Sequence, residues 1–381
     1  MGLPSVRGHT SYSSIGERLK GLNLAVIGAG ALGSEICRIL AENAFLNVLI
    51  IDPDRLEPRN VPLSSLYGDV FSTCGAEVFA HFKAELLVDA IWRQYALAWN
   101  GIAAEIADVG LGRLAACDLI ISCTDSTLAR LETSIAARIL GLPMLDGGVM
   151  GEGIAAGRVS WFSPAREAAC YLCGISEIRR AELLSYAVST SLGCRLFEET
   201  SNMTGTHDAL RETAGTMFRL IEAFSVGERS FESSFSSRLE GSRAMEPWIH
   251  KDLKMPRSVS CPWHDVPEGE WLPLAYDRPI LEALNGNDLR LQMVWPQCLE
   301  ARCRLCGHGT SPKKRVALIR RKTVCPQCGA IGSCEPTKIV SSLGSGDTAS
   351  DFTPRQLGLP EQHLYQFRRT FAPFINDEEG S

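Results

Sequence analysis

No stretch of this chain is apolar for long enough to cross a bilayer. The longest apolar runs, such as Leu46–Ile51, fall far short of the ~20 residues that a spanning helix needs. Basic residues are not in excess. The 38 Lys and Arg stand against 44 Asp and Glu, and the formal net charge of −6 argues against a nucleic-acid-binding protein. Long runs of one charge sign are missing too, as is any internal repeat of the length that marks solenoids and propellers. The opening MGLPSVRGHTSYSS lacks the charged-then-apolar order of a secretory leader. These absences predict a soluble, cytoplasmic protein with neither a membrane nor a nucleic-acid partner. What remains is 381 residues, 45% of them hydrophobic, enough for one large α/β domain and appendages.

Cysteine is plentiful, with 14 in the chain. Disulfides are uncommon in a reducing cytosol. Eight cysteines fall in a pattern that suits metal binding or catalysis: Cys170, Cys173, Cys194, Cys261, Cys303, Cys306, Cys325 and Cys328. Others sit in apolar runs, such as Cys37 in EICRIL and Cys123 in LIISCTD, and read as small buried hydrophobes.

The chain starts with alternating strand and helix patterns. LNLAVIG at 22–28 suits a buried parallel strand, and GAGALGSEICRILAENA continues at helical spacing. Further strands are expected at Asn47–Asp52 and Asp118–Cys123, and another opens at Pro143–Leu145. Helices are expected at Phe79–Trp92 and Leu128–Leu140. This alternation predicts a Rossmann-like, doubly wound α/β fold with a mainly parallel sheet. Beyond Pro164 the text becomes polar and Cys-rich. One long helix is expected at Thr206–Phe224, a mobile connection at 225–245, and a last helix around Pro360–Phe371. The organisation expected is an adenylation domain with a crossover segment (1–225), a connector (226–297), a zinc-ribbon-like unit (298–340) and a polar tail (341–381).

The local signals for chemistry come in chain order. Gly28-Ala-Gly30-Ala-Leu-Gly33 follows a strand and opens a helix. Its glycines permit a tight turn, and the helix N-terminus favours phosphate. Together with an acidic strand end, Asp52, this motif fits a nicotinamide enzyme equally well. The strand end continues as IDPDRLEPRN, with Asp54 and Asn60. Lys83-Ala84 follows on a helix, and Cys123-Thr-Asp125-Ser-Thr-Leu-Ala-Arg130 follows a strand. On residue type alone, Lys83 reads as a solvated helix face and Asp125 as a helix N-cap.

This ordered series resembles the ThiF/MoeB and ubiquitin-activating superfamily. The family pattern reads GxGxxGS, a strand ending in DxDxVexsN, KA, a strand ending in tDnxxxR, and a Gly-rich strand entry. The resemblance covers residues 16–174 and, more loosely, 190–225. It implies that Gly28, Gly30 and Gly33 cradle ATP, that Asp52 holds the ribose, that Asn60 and Lys83 face the phosphates, and that Asp125 holds Mg²⁺. One position departs from the pattern. The arginine usual three residues after the asparagine is Leu63 here, which removes a phosphate-binding fork. Arg55, Arg59 and Arg7 are the candidates to replace it.

Cys303-Arg-Leu-Cys306, eighteen residues, then Cys325-Pro-Gln-Cys328 has the spacing of a tetrahedral Zn²⁺ ribbon. Cys170-Tyr-Leu-Cys173 and Cys261-Pro-Trp-His264 are two more half sites. The resemblance implies a structural zinc built from a CxxC after the sheet and a later pair, which gives a Cys₃His site here. Cys194 lies between Cys173 and the long helix, where thioester-forming relatives carry a nucleophile. Arg195 beside it would favour the thiolate. Cys298 and Cys334 are the next thiols to consider.

The resemblance therefore implies an ATP- and Mg²⁺-dependent enzyme, expected as a homodimer, that adenylates the C-terminal carboxylate of a ubiquitin-like protein. Thioester formation on Cys194 and transfer to a conjugating enzyme would follow. The alternatives are a sulfur-carrier adenylyltransferase of ThiF/MoeB type, a non-catalytic nucleotide-binding scaffold and a nicotinamide oxidoreductase.

Overall fold

The computed structural model describes residues 12–150, 156–188, 207–227, 229–240, 249–261, 270–284 and 289–368. Cys194, Arg195, His264 and Arg7 lie outside these residues. The chain forms two compact units. The first takes the described parts of Met1–Ile106, Cys117–Tyr171 and Ser201–Ser258; the second takes those of Ala107–Ala116, Leu172–Thr200 and Val259–Ser381.

In the first unit α1 (Tyr12–Gly21) leads into β1 (Asn23–Ile27), α2 (Ala31–Glu42) and β2 (Asn47–Ile51). Next come α3 (Ser65–Cys74), α4 (Lys83–Tyr95) and β3 (Asn100–Ile102). The chain then gives residues 107–116, with the short helix α5 (Leu111–Leu114), to the second unit. It returns with β4 (Leu119–Ser122), α6 (Thr127–Leu140), β5 (Met144–Met150) and β6 (Ala156–Phe162). After α7 (Glu177–Val188) of the second unit come α8 (His207–Ser225), β7 (Phe235–Glu240) and β8 (Ile249–Lys254) of the first.

The eight strands make one sheet in the order β3-β2-β1-β4-β5-β6-β7-β8. It is parallel from β3 through β5 and antiparallel from β5 outward. Burial on both faces explains the near-continuous apolar text of β1 and β4. The strand order reverses between β1 and β4. The crevice at their C-terminal ends is therefore the topological switch point where open α/β sheets bind ligands.

Three expectations need correction. Residues 235–240 are not a loose connection: β7 pairs with β6, and its partly alternating text hides Leu239, which is fully buried. Just before it, Phe231 stacks on Trp161 at 4.4 Å between centroids and accepts its indole N–H at 3.2 Å. Second, the helix expected from Phe79 starts only at Lys83. A 3₁₀ turn occupies Gly75–Ala80, and a bridge between Arg55 and Phe82 holds the chain extended before α4. Third, no helix forms among the described residues of Pro360–Phe371. Leu364–Arg368 is a strand that pairs with residues 290–292. Its partner lies far away in sequence, so local pattern gave no sign of it.

The second unit is organised on the long strand β10. After β9 (Glu270–Pro273) and α9 (Ile280–Leu284) come β10 (Arg290–Cys303), β11 (Gly309–Thr310) and β12 (Lys314–Arg315). They are followed by α10 (Val316–Lys322), β13 (Cys334–Gly344) and β14 (Leu364–Arg368). β11, β12, β13 and β14 all pair antiparallel with β10. One apolar cluster, including Leu284, Leu291, Leu343 and Tyr365, fills one end. A smaller one, with Cys298, Val316, Ile319 and Cys334, lies toward the other. The loop at 107–116 joins this unit through Asp108, which takes a bidentate pair from the buried Arg315 at 2.6 and 3.2 Å. None of the described helices is long and apolar enough to cross a membrane.

Candidate functional site

At the switch point β1 ends in Gly28, whose φ of +96° suits glycine. A Cβ there would lie 2.9 Å from the Cys123 carbonyl carbon, and one on Gly33 would lie 1.9 Å from the Gly28 carbonyl oxygen. Both glycines let the loop lie flat against β4. Gly30 is the N-cap of α2 and supplies no side-chain cap, and the space beside it is open. The first amides of α2 have no intrahelical acceptor, so this end suits an anion.

Asp52, just past β2, is buried. One carboxylate oxygen accepts the Ala29 amide at 2.6 Å and the other the Asp54 amide at 2.8 Å. Burial raises its pKa, while the Lys83 charge and these amides act the other way. Lys83 is also buried, 9% exposed, so it is not a solvated helix residue. Its Nζ lies 3.3 Å from Asp54, and its amide donates to the Asp54 carbonyl at 2.8 Å. Lys83 is about thirty residues from Asp52 and Asp54 in the sequence, and the fold brings the three together beside the glycine loop.

Tyr67 belongs to this group and was not visible beforehand. It is fully buried on α3, and its hydroxyl donates to the Ala29 carbonyl at 2.6 Å, with the Lys83 carbonyl at 3.4 Å. Ala29 is therefore held on both sides, its N–H by Asp52 and its C=O by Tyr67. Burial pushes the phenol pKa well up, which keeps it a donor. In the sequence Tyr67 looks like any core aromatic on an amphipathic helix.

The Pro58–Leu63 turn carries Asn60 and Leu63. The Asn60 side-chain oxygen accepts the Glu57 amide at 3.0 Å as part of a reciprocal cap. Half-buried Leu63 ends the turn. Both described candidates for the missing arginine have other partners. Arg55 lies over the Phe82 ring at 4.2 Å; its bridge with Phe82 puts it on the face opposite the Asp54–Lys83 pair. Arg59 pairs with Glu57 at 2.6 Å on the surface.

Asp125 stands exposed past the end of β4. It does not cap α6: the cap is Ser126, whose hydroxyl accepts the Ala129 amide at 3.2 Å. Arg130 pairs with the fully buried Asp146, at 3.0 Å. Ser122 and Arg158 complete the Asp146 shell at 2.9 and 2.8 Å. That network stiffens β4, β5 and β6 behind Asp125, and only its Gly-rich strand was noticeable in the sequence. Cys37 and Cys123 are both buried, and burial pushes both thiols up, so neither is a ready nucleophile.

In the second unit the sulfurs of Cys303, Cys306, Cys325 and Cys328 all lie within 4.8 Å of one another. Cys303 to Cys328 is 3.7 Å and Cys306 to Cys325 is 3.6 Å. A tetrahedron with metal–sulfur bonds of about 2.3 Å has edges of about 3.8 Å, so the four thiols fit Zn²⁺. Hydrogen bonds from the Ser333 hydroxyl and the Cys306 amide hold Cys303 down at about 6, which favours the thiolate that zinc requires. Cys173 and Cys261, both in this unit, also lie within 4.8 Å of each other. Cys170 stands three residues before Cys173, across the covalent junction of the two units.

The model of the ThiF family matches residues 11–370. Ubiquitin-like modifier-activating enzyme 5 of Oryza sativa subsp. japonica is 23% identical over 194 residues, 46% of this chain. The match spans 46% of that relative's length, under half of it. Among solved structures, E. coli MccB with ATP is similar at 14% identity and a TM-score of 0.47, over 65% of this chain and 68% of that one. PaaA is similar at 15% identity and a TM-score of 0.45, over 64% and 67%.

Proposed function

The chain belongs to the ThiF family, and from that premise we propose that it adenylates the C-terminal carboxylate of a small protein, of the ubiquitin-like kind. One observation carries this reading: the glycine loop, Asp52, Lys83 and Asp125 converge at the switch point of a parallel sheet. In the proposed reaction the carboxylate attacks the α-phosphorus of ATP, and pyrophosphate leaves.

Each residue has a task that its surroundings suit. Gly28, Gly30 and Gly33 keep side chains out of the phosphate cradle. Asp52 is oriented by two amides and keeps lone pairs for the ribose hydroxyls. Lys83 sits where water is scarce, so its charge on the phosphates is poorly screened. Asp54 holds Lys83 in position until the phosphates compete for it. Asn60 spends its oxygen on the cap, which leaves its amide N–H groups as the part that would face phosphate. Asp125, free of capping duty, would hold Mg²⁺, which offsets phosphate charge. The four ribbon cysteines would hold a structural Zn²⁺, and Cys170, Cys173, Cys261 and His264 a second one.

The Cys194 thiolate would then attack the acyl-adenylate, forming a thioester as AMP leaves, and pass the acyl group to a thiol of a conjugating enzyme. A sulfur-carrier substrate is the second reading, in which no such thioester forms. The non-catalytic scaffold rests on Leu63, with Arg55 over the Phe82 ring and Arg59 paired with Glu57. Calorimetric titration with ATP–Mg²⁺ and with NAD tests the nucleotide site: ATP should bind and NAD should not. Tight NAD binding without ATP binding would overturn the proposal. A thiol-sensitive adduct lost in Cys194→Ala would then favour conjugation over sulfur transfer.

A further inference from the structure

The thiol cluster forms a tip at the Cys303 end of β10, and this tip exposes aliphatic side chains. Leu305 is 74%, Ile331 70% and Val324 52% exposed. Val324 and Ile331 face each other in an antiparallel bridge. The Arg304 amide donates to the Ser333 carbonyl at 2.9 Å, which ties the Cys303–Cys306 turn that carries Leu305 to the residue two past Ile331. Three large aliphatics exposed on the turns of one thiol cluster suggest a docking surface.

The segment around them is mainly basic. Residues 298–340 hold nine Lys and Arg but only two Glu, in a chain of net charge −6; of the nine, Arg315 is buried on Asp108. Both glutamates already have cations: Glu300 has Lys338 at 3.7 Å, and Glu335 has Arg304 at 3.6 Å and Arg320 at 3.4 Å. The segment contains no Phe, Tyr or Trp, so it offers no platform for stacked bases. An apolar centre with a basic rim fits an acidic peptide carrying apolar anchors.

This chain has such a peptide. Residues 370–381 read TFAPFINDEEGS, with Phe371, Phe374 and Ile375 followed by Asp377, Glu378 and Glu379. They lie outside the described residues, and all but Thr370 lie beyond the family match, which ends at 370. They cannot serve their own tip. Arg368 pairs with Arg290, at the opposite end of β10 from Cys303. The strand between them spans about 43 Å at ~3.3 Å per residue. Ile375 lies seven residues past Arg368 and reaches at most about 25 Å from it. We infer that the aliphatic, basic tip docks residues 371–379 of a second copy of this chain. This inference does not depend on the adenylation reading.

The test uses a fluorescent synthetic peptide of residues 369–381. The receptor is the full-length zinc-loaded chain carrying Phe374→Asp and Ile375→Asp, so that its own tail does not compete. The peptide should bind. Leu305→Asp or Ile331→Asp in the receptor should weaken binding about tenfold or more, because anchors at the centre of an interface dominate it. Raised salt should weaken it further. Both positions are exposed, so an unchanged zinc content shows that the variants fold. Absence of binding, equal binding to the tip variants, or displacement of the peptide by a single-stranded oligonucleotide would each overturn the inference.

Discussion

Asp125 and Ser126 are neighbours with separate tasks, and substitution should separate them. Asp125 makes no cap, so Asp125→Ala should abolish adenylation and leave the melting temperature nearly unchanged. Ser126→Ala removes the α6 cap and should cost about 1 kcal/mol of stability with activity retained. A calorimetric scan beside an activity assay reads both, and the reverse pattern would return Asp125 to a structural role. Tyr67→Phe leaves the buried Ala29 carbonyl without its donor, at about 1–2 kcal/mol. Ala29 also anchors Asp52, so this variant should raise the KM for ATP more than it lowers kcat. Some of the candidate site was legible in the text. Gly28, Gly33, Asp52, Lys83 and Asp125 stand out because their motifs are local. Tyr67 and Asp146 did not, since their meaning comes from contacts made across the fold. The reserve nucleophiles Cys298 and Cys334 prove fully buried, with thiols pushed up by burial, so they are poor substitutes for Cys194.

Elements were legible where their partners are close in sequence. β1, β2, β4, α6 and α8 all lie where the apolar period puts them. β14 was misread because its pairing with β10 spans some seventy residues, and β7 because its text is Ser-rich. β14 also follows a titratable group. His363 just before it is buried, accepts the Leu111 amide at 3.3 Å through Nδ1, and is held down at about 4 by burial. An unfolded histidine titrates near about 6.5. The unfolded chain therefore binds the proton first as pH falls. This contribution to stability is complete above pH ~6.5 and is lost progressively toward pH ~4, up to about 3 kcal/mol. His363→Gln keeps an acceptor for Leu111 and should flatten that slope in denaturant titrations at pH 7 and 4.5; an unchanged slope would assign it to other groups. The ribbon hairpins have a different dependence. They enclose little apolar core, so a chelator should release their metal and unfold them, and Cys325→Ser should do the same without chelator.

At the scale of the whole molecule, the parallel half of the sheet followed from the strand–helix alternation. Its antiparallel extension through β6, β7 and β8, and the second sheet gathered on β10, did not, because long-range pairing leaves little local trace. Metal content is a property of the whole chain. With Cys303, Cys306, Cys325 and Cys328 as one site and Cys170, Cys173, Cys261 and His264 as another, the purified protein should carry two Zn²⁺. A value of one would remove the second site. The central claim is that the switch-point crevice activates a carboxylate, and exchange of labelled pyrophosphate into ATP tests it most directly. Exchange should require the chain, Mg²⁺ and a ubiquitin-like or sulfur-carrier protein with a free C-terminus. It should fall at least about a hundredfold in Lys83→Ala, where a charge on the phosphates is lost, and persist in Cys194→Ala. Exchange that survives both Lys83→Ala and Asp125→Ala, or that never appears with any such protein, would contradict the account.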